Sequence, residues 1–194
     1  MPTQTPNKIK YNLKNVHYAP LISESNAGPV YGEIKPWPGA VSVNFEPQGD
    51  TTSFYADGIK YYTTNTNTGY EGDYESALVP EDFKQDILSM TADADGVLME
   101  NADAKTKYFA LLFEFDGDVK ARRHVMYKCS ATRPSVESKS KEENVEVSTE
   151  TMKISCLTTK INGMNVPKGE TCSTTTSEVY DNWYTNIHGA ATQQ

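Results

Sequence analysis

The strongest constraint on the fold is an alternation of apolar and polar residues on both sides of Asp116-Gly117-Asp118. Such alternation around an acid-glycine turn predicts a β-hairpin. A three-residue connection is expected, because it places the odd-numbered residues from Phe109 to Phe115 on one apolar face with odd-numbered residues of the second strand. Their expected neighbours on that face are Val119, Ala121, Val125, Tyr127 and Cys129. The opposite face is expected to be wetter or to meet a partner, and it comprises Leu112, Glu114, Lys120, Arg122, His124 and Lys128.

Three further segments show the same period of two. Residues 8–18 predict a strand with a bulge near Asn15, where the apolar phase flips. The stretch from Val41 to Phe45 predicts a second strand, and residues 145–156, starting at Val145, predict another. With the hairpin and shorter runs this indicates about seven or eight strands.

Two short helices are predicted beside these strands. Pro80 suits a first helical turn, and it is followed by an apolar face at helical spacing. Near the end, Thr175 and Glu178 stand in capping-box relation ahead of a second apolar stripe. The two apolar faces consist of Phe83, Ile87 and Leu88, and of Tyr180, Trp183, Tyr184 and Ile187. We therefore expect a mainly β chain, sandwich-like or barrel-like, with a short flanking helix and a C-terminal helix, and one domain over residues 1–194.

Two connections stand out by composition. Residues 47–72 are polar and turn-rich, which predicts a long inter-strand loop. This stretch nevertheless carries aromatic residues, which either pack in their own domain or anchor a protein interface. They are Phe54, Tyr55, Tyr61, Tyr62 and Tyr70. Residues 159–173 are expected to form a polar, flexible segment between the last strand and the last helix.

Charge and hydropathy exclude several classes of protein. The net charge is −8, and residues 71–118 hold 13 acids against 3 bases. That sign disfavours a protein that grips the phosphate backbone of nucleic acid. The longest apolar run, from Phe109 to Phe113, is far too short to cross a bilayer. The first ten residues lack a signal-peptide stretch, so synthesis and retention in a cytoplasm are expected.

We find no catalytic, cofactor-binding or metal-binding residue that the sequence supports. The common nucleotide, acyl-hydrolase and zinc-protease motifs are missing. Cys129 and Cys156 fall on apolar strand faces and are expected to be small buried hydrophobes with reduced thiols. His124 is expected at the surface or at an interface. The pair Asp82 and Asp86 is expected on a solvated helix face.

The segment from Ala92 to Gly96 resembles part of a calcium loop. Alignment on its glycine puts Thr91 at the first ligand position and Ala102 where a bidentate glutamate is needed. Two ligands are thus missing, and a solvated turn is the favoured interpretation.

Several motifs, in order, resemble the major tail tube proteins of long, non-contractile-tailed bacteriophages of Gram-positive hosts. The resemblance covers most of residues 8–158 and the closing Tyr180-Asp181-Asn182-Trp183. Its motifs in the first half are Pro38-Gly39-Ala40-Val41-Ser42-Val43, Glu46-Pro47-Gln48-Gly49-Asp50, Phe54-Tyr55-Ala56-Asp57 and Gly69-Tyr70-Glu71-Gly72. Those in the second half are Phe109-Ala110-Leu111-Leu112-Phe113-Glu114-Phe115, Arg122-Arg123-His124 and Ala131-Thr132-Arg133-Pro134-Ser135.

The resemblance implies a β-sandwich subunit, made in the bacterial cytoplasm, that assembles into the virion tail. Six copies would form a ring, and stacked rings would form the tube through which genomic DNA leaves the capsid. The implied partners are other copies of the chain, the tape measure protein, the tail terminator and the distal tail proteins, with DNA passing without specific binding. It also implies that a long loop reaches the adjacent ring, and residues 47–72 are assigned to it by position and aromatic content. No enzymatic activity is implied.

The acidic segment fits such a tube, because a negative wall repels the duplex and keeps it centred. We expect part of residues 71–118 to face the lumen. The candidates are Glu71, Asp73, Glu75 and Glu114.

Two other functions stay open. One is a monomeric β-sandwich binding or decoration module that uses Tyr and Trp as a sugar platform. The other is a calcium-dependent hydrolase built around Asp93 and Asp95. The first predicts a stable monomer with aromatic residues clustered on one exposed face, and the second predicts stabilisation by calcium.

Overall fold

The computed structural model describes residues 5–25, 27–140 and 147–191. The chain is mainly β, with a large antiparallel sheet and two short helices among the described residues, which confirms the predicted fold class. The strands of the first half are β1 (Lys10–Ser25), β2 (Gly28–Tyr31), β3 (Lys35–Pro36), β4 (Ala40–Gln48), β5 (Thr51–Ala56), β6 (Ile59–Asn65), β7 (Gly69–Ser76), β8 (Thr91–Ala92) and β9 (Leu98–Met99). Those of the second half are β10 (Phe109–Gly117), β11 (Arg122–Ala131), β12 (Glu150–Leu157), β13 (Thr159–Ile161), β14 (Met164–Val166) and β15 (Lys168–Glu170). The helices are α1 (Glu81–Asp86) and α2 (Ser177–Asp181).

Strand β1 carries the bulge that the sequence predicts. Its antiparallel pairing with β10 shifts register between Lys14 and His17. Asn15, inside that shift, has a φ of 52°, in the left-handed region that asparagine tolerates better than most residues. The third predicted strand is observed as β12, which begins at Glu150, whereas Val145 lies outside the described residues.

The predicted register of the central hairpin is wrong. Phe113 lies opposite His124 and Leu111 opposite Met126, so odd residues pair with even ones from 111 to 115. Phe109, beyond a register shift, keeps an odd-numbered partner, Cys129. The connection between β10 and β11 is longer than three residues, and Val119 and Ala121 lie in it rather than on the apolar face. The alternation misleads because β10 is buried on both faces: every residue from 109 to 114 is buried.

Nine of these strands form one sheet with the order β2-β1-β10-β11-β12-β7-β4, in which β3 also pairs with β1 and β15 with β11. The other six form three two-stranded sheets, β5–β6, β8–β9 and β13–β14. One face carries the larger core, which is capped by Phe83 of α1 and by Trp37, whose rings lie 4.3 Å apart. The sheet folds back on this core, and Phe45 of β4 lies 6.3 Å from Phe113 of β10. This closure gives the sandwich-like arrangement.

The other face of β10 and β11 is covered by the C-terminal segment. Trp183 and Ile187 pack there against Leu112 and Val125. The cap of α2 is Thr176, whose hydroxyl accepts a hydrogen bond from the Val179 N–H, so the predicted capping role of Thr175 is wrong. Neither helix of the described residues is long and apolar enough to cross a membrane.

The segment 159–173 is not an irregular connection. It contains the β13–β14 hairpin, and β15 pairs with β11 over His124 to Met126. Ile161 and Thr171 are buried, which fixes the segment on the sheet. Its polar composition misleads because short strands with few apolar residues give little periodic signal.

Candidate assembly surface

Residues 47–72 form a β-hairpin rather than a loop. The first and last of these residues belong to the paired strands β4 and β7, and residues 51–65 make a separate two-stranded sheet of β5 and β6. We call residues 51–65 the arm. At about 3.3 Å per residue, the arm extends about 20 Å beyond the main sheet.

The arm is held in shape by the pairing of its two strands, by the turn at its tip and by hydrogen bonds at its base. Asp57 and Gly58 form the two-residue tip, with φ angles of 53° and 75°, which suits the type I′ turn that Asp-Gly favours. Substituting Gly58 would strain this left-handed position. At the base, Thr66 N–H donates to the Asp50 carbonyl at 3.0 Å, and Thr68 N–H donates to the Gln48 carbonyl at 2.8 Å. The arm is therefore a continuation of the β4–β7 pair.

Four of the five predicted aromatic residues lie exposed on the arm. Phe54 stands directly opposite Tyr62, so these two share one face, while Tyr55, the next residue of β5, points to the other face. Tyr61 lies in the register shift of β6 and has no partner in the ladder. Tyr61 is 72% exposed, and Phe54, Tyr55 and Tyr62 are all at least 60% exposed. Clusters of exposed aromatic side chains are typical of surfaces that contact another molecule.

Tyr70 does not belong with the arm. It lies in β7, is partly buried and packs against the larger core. Its assignment to the assembly loop is wrong, because the alternation of β7 turns Tyr70 and Tyr74 inward together.

The same alternation places three predicted acids on the outer face of the sheet. Glu71 and Asp73 are exposed and Glu75 is half-buried. Glu46 of β4 lies directly opposite Glu71 and extends the group, although the sequence did not indicate it. We call Glu46, Glu71, Asp73 and Glu75 the acidic face. Lys153 of β12 lies opposite Asp73 and is a cation on the same face.

The Glu75 carboxylate of the acidic face is held as an anion. Hydrogen bonds from the hydroxyls of Thr149 and Ser42 keep the pKa of Glu75 below its ordinary value. Glu46 and Glu71 face each other across the strands, an arrangement of like charges that costs stability. In the described part of the chain neither forms an ion pair that would offset this cost.

Glu114 is not part of this surface. It is buried, and its Oε2 accepts hydrogen bonds from Arg123 Nε at 3.0 Å and from the Tyr184 hydroxyl at 3.3 Å. Its Oε1 accepts one from Asn15 Nδ2 at 2.7 Å. The prediction of Glu114 as a lumen-facing acid is wrong, because the C-terminal segment closes over this side of the hairpin.

His124 is likewise covered, contrary to the prediction of a surface or interface position. Its side chain is 12% exposed and stacks on Phe113, with ring centres 5.2 Å apart. Burial lowers the pKa of His124 to about 4, although Glu170 opposes the shift. Lys168, Arg122 and Lys10 lower it further.

We expect His124 to make stability sensitive to mild acid. The unfolded chain protonates His124 below its ordinary pKa of 6.5, whereas the folded chain does so only near 4. Its contribution is therefore complete above pH 6.5 and is lost as the pH falls toward 4, at a cost of about 2 to 3 kcal/mol. Urea unfolding at pH 7 and pH 4.5 measures this loss. His124→Phe keeps the ring but not the titration, so an equal loss in both proteins would contradict the assignment.

The remaining chemical candidates have structural roles. The Asp93 carboxylate accepts hydrogen bonds from the N–H groups of Asp95 and Val97, both at 2.9 Å, and so shapes a turn. Asp86 accepts hydrogen bonds from Lys35 at 2.7 Å and Tyr18 at 3.1 Å. Among the described residues, no group of three or more His, Cys, Asp or Glu side chains is arranged to hold a metal ion.

The arm could have been found from the sequence, because Asp57-Gly58 between aromatic residues is a strong hairpin signal. The acidic face could be found only in part, since Glu46 joins it through strand pairing. Comparisons of the chain with protein-family models and with curated proteins give no match.

Proposed function

We propose that this chain is a structural subunit that assembles with copies of itself into stacked hexameric rings, forming a phage tail tube through which genomic DNA is ejected. In the virion it would adjoin the tape measure protein, the tail terminator and the distal tail proteins. The observation that carries the proposal is the arm, an ordered hairpin whose aromatic side chains remain exposed in the isolated chain.

The exposure of the arm favours insertion between neighbouring subunits. Aromatic residues on both faces of a narrow hairpin can be buried only when protein lies on both sides of it. A head-to-tail contact of this kind closes into a ring or continues into a stack, because donor and acceptor surfaces differ. The polar face of the β10–β11 hairpin does not serve as the second surface, since the C-terminal segment covers it.

The acidic face suits the wall of a DNA conduit. Four carboxylates against Lys153 give this part of the sheet a net negative charge, and such a surface repels a polyanion over about 8 Å at physiological salt. The wall would thereby guide the duplex without binding it.

The alternative is a monomeric binding or decoration module in which Phe54 and Tyr62 form a platform on one exposed face of the arm. A platform needs only one accessible face, and Tyr55 on the opposite face would then have no role. The two functions differ in oligomeric state, which decides between them.

Negative-stain electron microscopy of the concentrated full chain, alone and seeded with its tail initiation proteins, tests the proposal. We expect rings or tubes, and sedimentation velocity of the same samples should show species far larger than 21.5 kDa. A chain that stays monomeric under both conditions would overturn the proposal and favour the decoration module. A monomeric result for the chain without its initiation proteins does not distinguish the two functions, because a tube subunit can stay monomeric until its initiator is present.

A further inference from the structure

Two cysteines lie side by side in the main sheet. Cys129 of β11 stands directly opposite Cys156 of β12, and their Sγ atoms are 3.2 Å apart. Both are free thiols and both are buried. Their burial agrees with the expectation that both cysteines act as small hydrophobic residues. Core packing alone, however, does not require the two sulfur atoms to be in contact.

The backbone geometry suits a covalent bond between them. The Thr132 N–H donates to the Lys153 carbonyl at 2.9 Å, which identifies that opposed pair as a hydrogen-bonded one. Pair types alternate along an antiparallel ladder, so Cys129 and Cys156, three positions further on, form a non-hydrogen-bonded pair. In such pairs the Cα atoms lie about 4.5 Å apart, a separation that a disulfide can span.

We propose that Cys129 and Cys156 form a modification site that a small-molecule disulfide, such as oxidised glutathione, converts into a disulfide joining β11 to β12. One protein thiol loses its proton, and the thiolate attacks the S–S bond of oxidised glutathione and releases a glutathione thiolate. The second protein thiolate attacks the protein sulfur of this mixed disulfide and releases the second glutathione. Two protein thiols are oxidised, and one oxidised glutathione is reduced to two glutathione molecules.

Burial decides when this reaction takes place. It raises the pKa of the Cys129 thiol, so the reactive thiolate is rare in the folded chain. The pair therefore reacts while the chain folds or when β12 opens, and the finished disulfide is then shielded from external thiols. The redox state of the pair thus records the conditions under which the chain folded.

Cys172 must be removed before the pair can be tested. It is exposed, and hydrogen bonds from Thr174 and Thr175 lower its pKa to about 7, so it reacts with oxidised glutathione first. Cys172→Ser puts a hydroxyl in place of the exposed thiol and leaves only the buried pair of cysteines.

The Cys172→Ser chain is unfolded in urea, diluted into buffers of graded glutathione ratio, quenched with acid and mapped by peptide mass. We expect the refolded chain to form the disulfide in buffers at least about tenfold more reducing than those needed by the same chain kept in urea. The oxidised protein should also melt several degrees above the reduced one.

The control is the variant with both Cys156→Ser and Cys172→Ser, which can form only a mixed disulfide with glutathione. The proposal is overturned if the refolded and urea-held chains need the same ratio, if oxidation lowers the melting temperature, or if a mixed disulfide dominates in Cys172→Ser. Cys172→Ala replaces the first variant if it folds poorly. None of these measurements depends on assembly, so the test is separate from that of the proposed function.

Discussion

Arg123→Met is expected to lower the free energy of unfolding by about 3 kcal/mol, because it leaves a buried carboxylate with only the more exposed Lys14, 3.8 Å away, as a cation. The side chains of Arg123 and Glu114 are 17% and 4% exposed, and Nε donates to Oε2 at 3.0 Å. The guanidinium also lies 3.9 Å from the ring of Tyr180 and donates to the Tyr180 carbonyl. Its loss therefore loosens the C-terminal segment as well. Urea denaturation measures the change.

Two variants separate the buried charge from lost packing. Glu114→Gln added to Arg123→Met removes the uncompensated charge but keeps an acceptor for Asn15, and we expect it to recover about half of the loss or more. Arg122→Met is the matched control, since Arg122 pairs with Glu170 at 3.6 Å and the two side chains are 36% and 40% exposed. That change should cost less than about 1 kcal/mol. Equal losses in Arg123→Met and Arg122→Met would contradict the role of the buried pair.

Replacing Phe54 and Tyr62 by Ser should abolish assembly while leaving the isolated fold intact. Both side chains are at least 60% exposed and face each other on the arm, away from the core. We expect the free energy of unfolding to change by less than about 0.5 kcal/mol. If the arm is buried between subunits, each aromatic anchor contributes about 2 kcal/mol or more, so the concentration needed for assembly rises by several hundredfold. Sedimentation velocity and electron microscopy measure it.

The control pair lies on the same face of the same hairpin. Thr52 and Thr64 stand opposite each other and are exposed, so Thr52→Ser with Thr64→Ser alters the face without removing an aromatic anchor. This variant should assemble as the unaltered chain does. Unimpaired assembly of the Phe54→Ser, Tyr62→Ser variant would show that the arm is not the anchor.

The alternation of polar and apolar residues was sufficient to predict a strand where one face of that strand is exposed to solvent. The bulge near Asn15 could be predicted because polar and apolar residues alternate there and the phase of the alternation flips. The register of the β10–β11 hairpin could not be predicted, since both faces of β10 are apolar and a slip by one residue looks equally good.

The candidate site shows the same division. The sequence singled out the arm aromatics but left open whether they pack in their own domain, whereas the burial of Glu114 depends on residues far along the chain. Asn15 and Tyr184 are 99 and 70 positions away from it. Glu46 belongs to the acidic face for a similar reason. It lies outside the acidic segment 71–118 in the sequence, but the pairing of β4 with β7 places it opposite Glu71.

The arm extends from the sheet without packing into its core, and this has a consequence for how the chain can diverge. Selection for folding acts weakly on side chains that contribute nothing to the interior, so under the proposed function the arm can change at the rate at which the surface that receives it changes. Two lineages could thus lose mutual compatibility through a few substitutions at the tip while retaining the same scaffold.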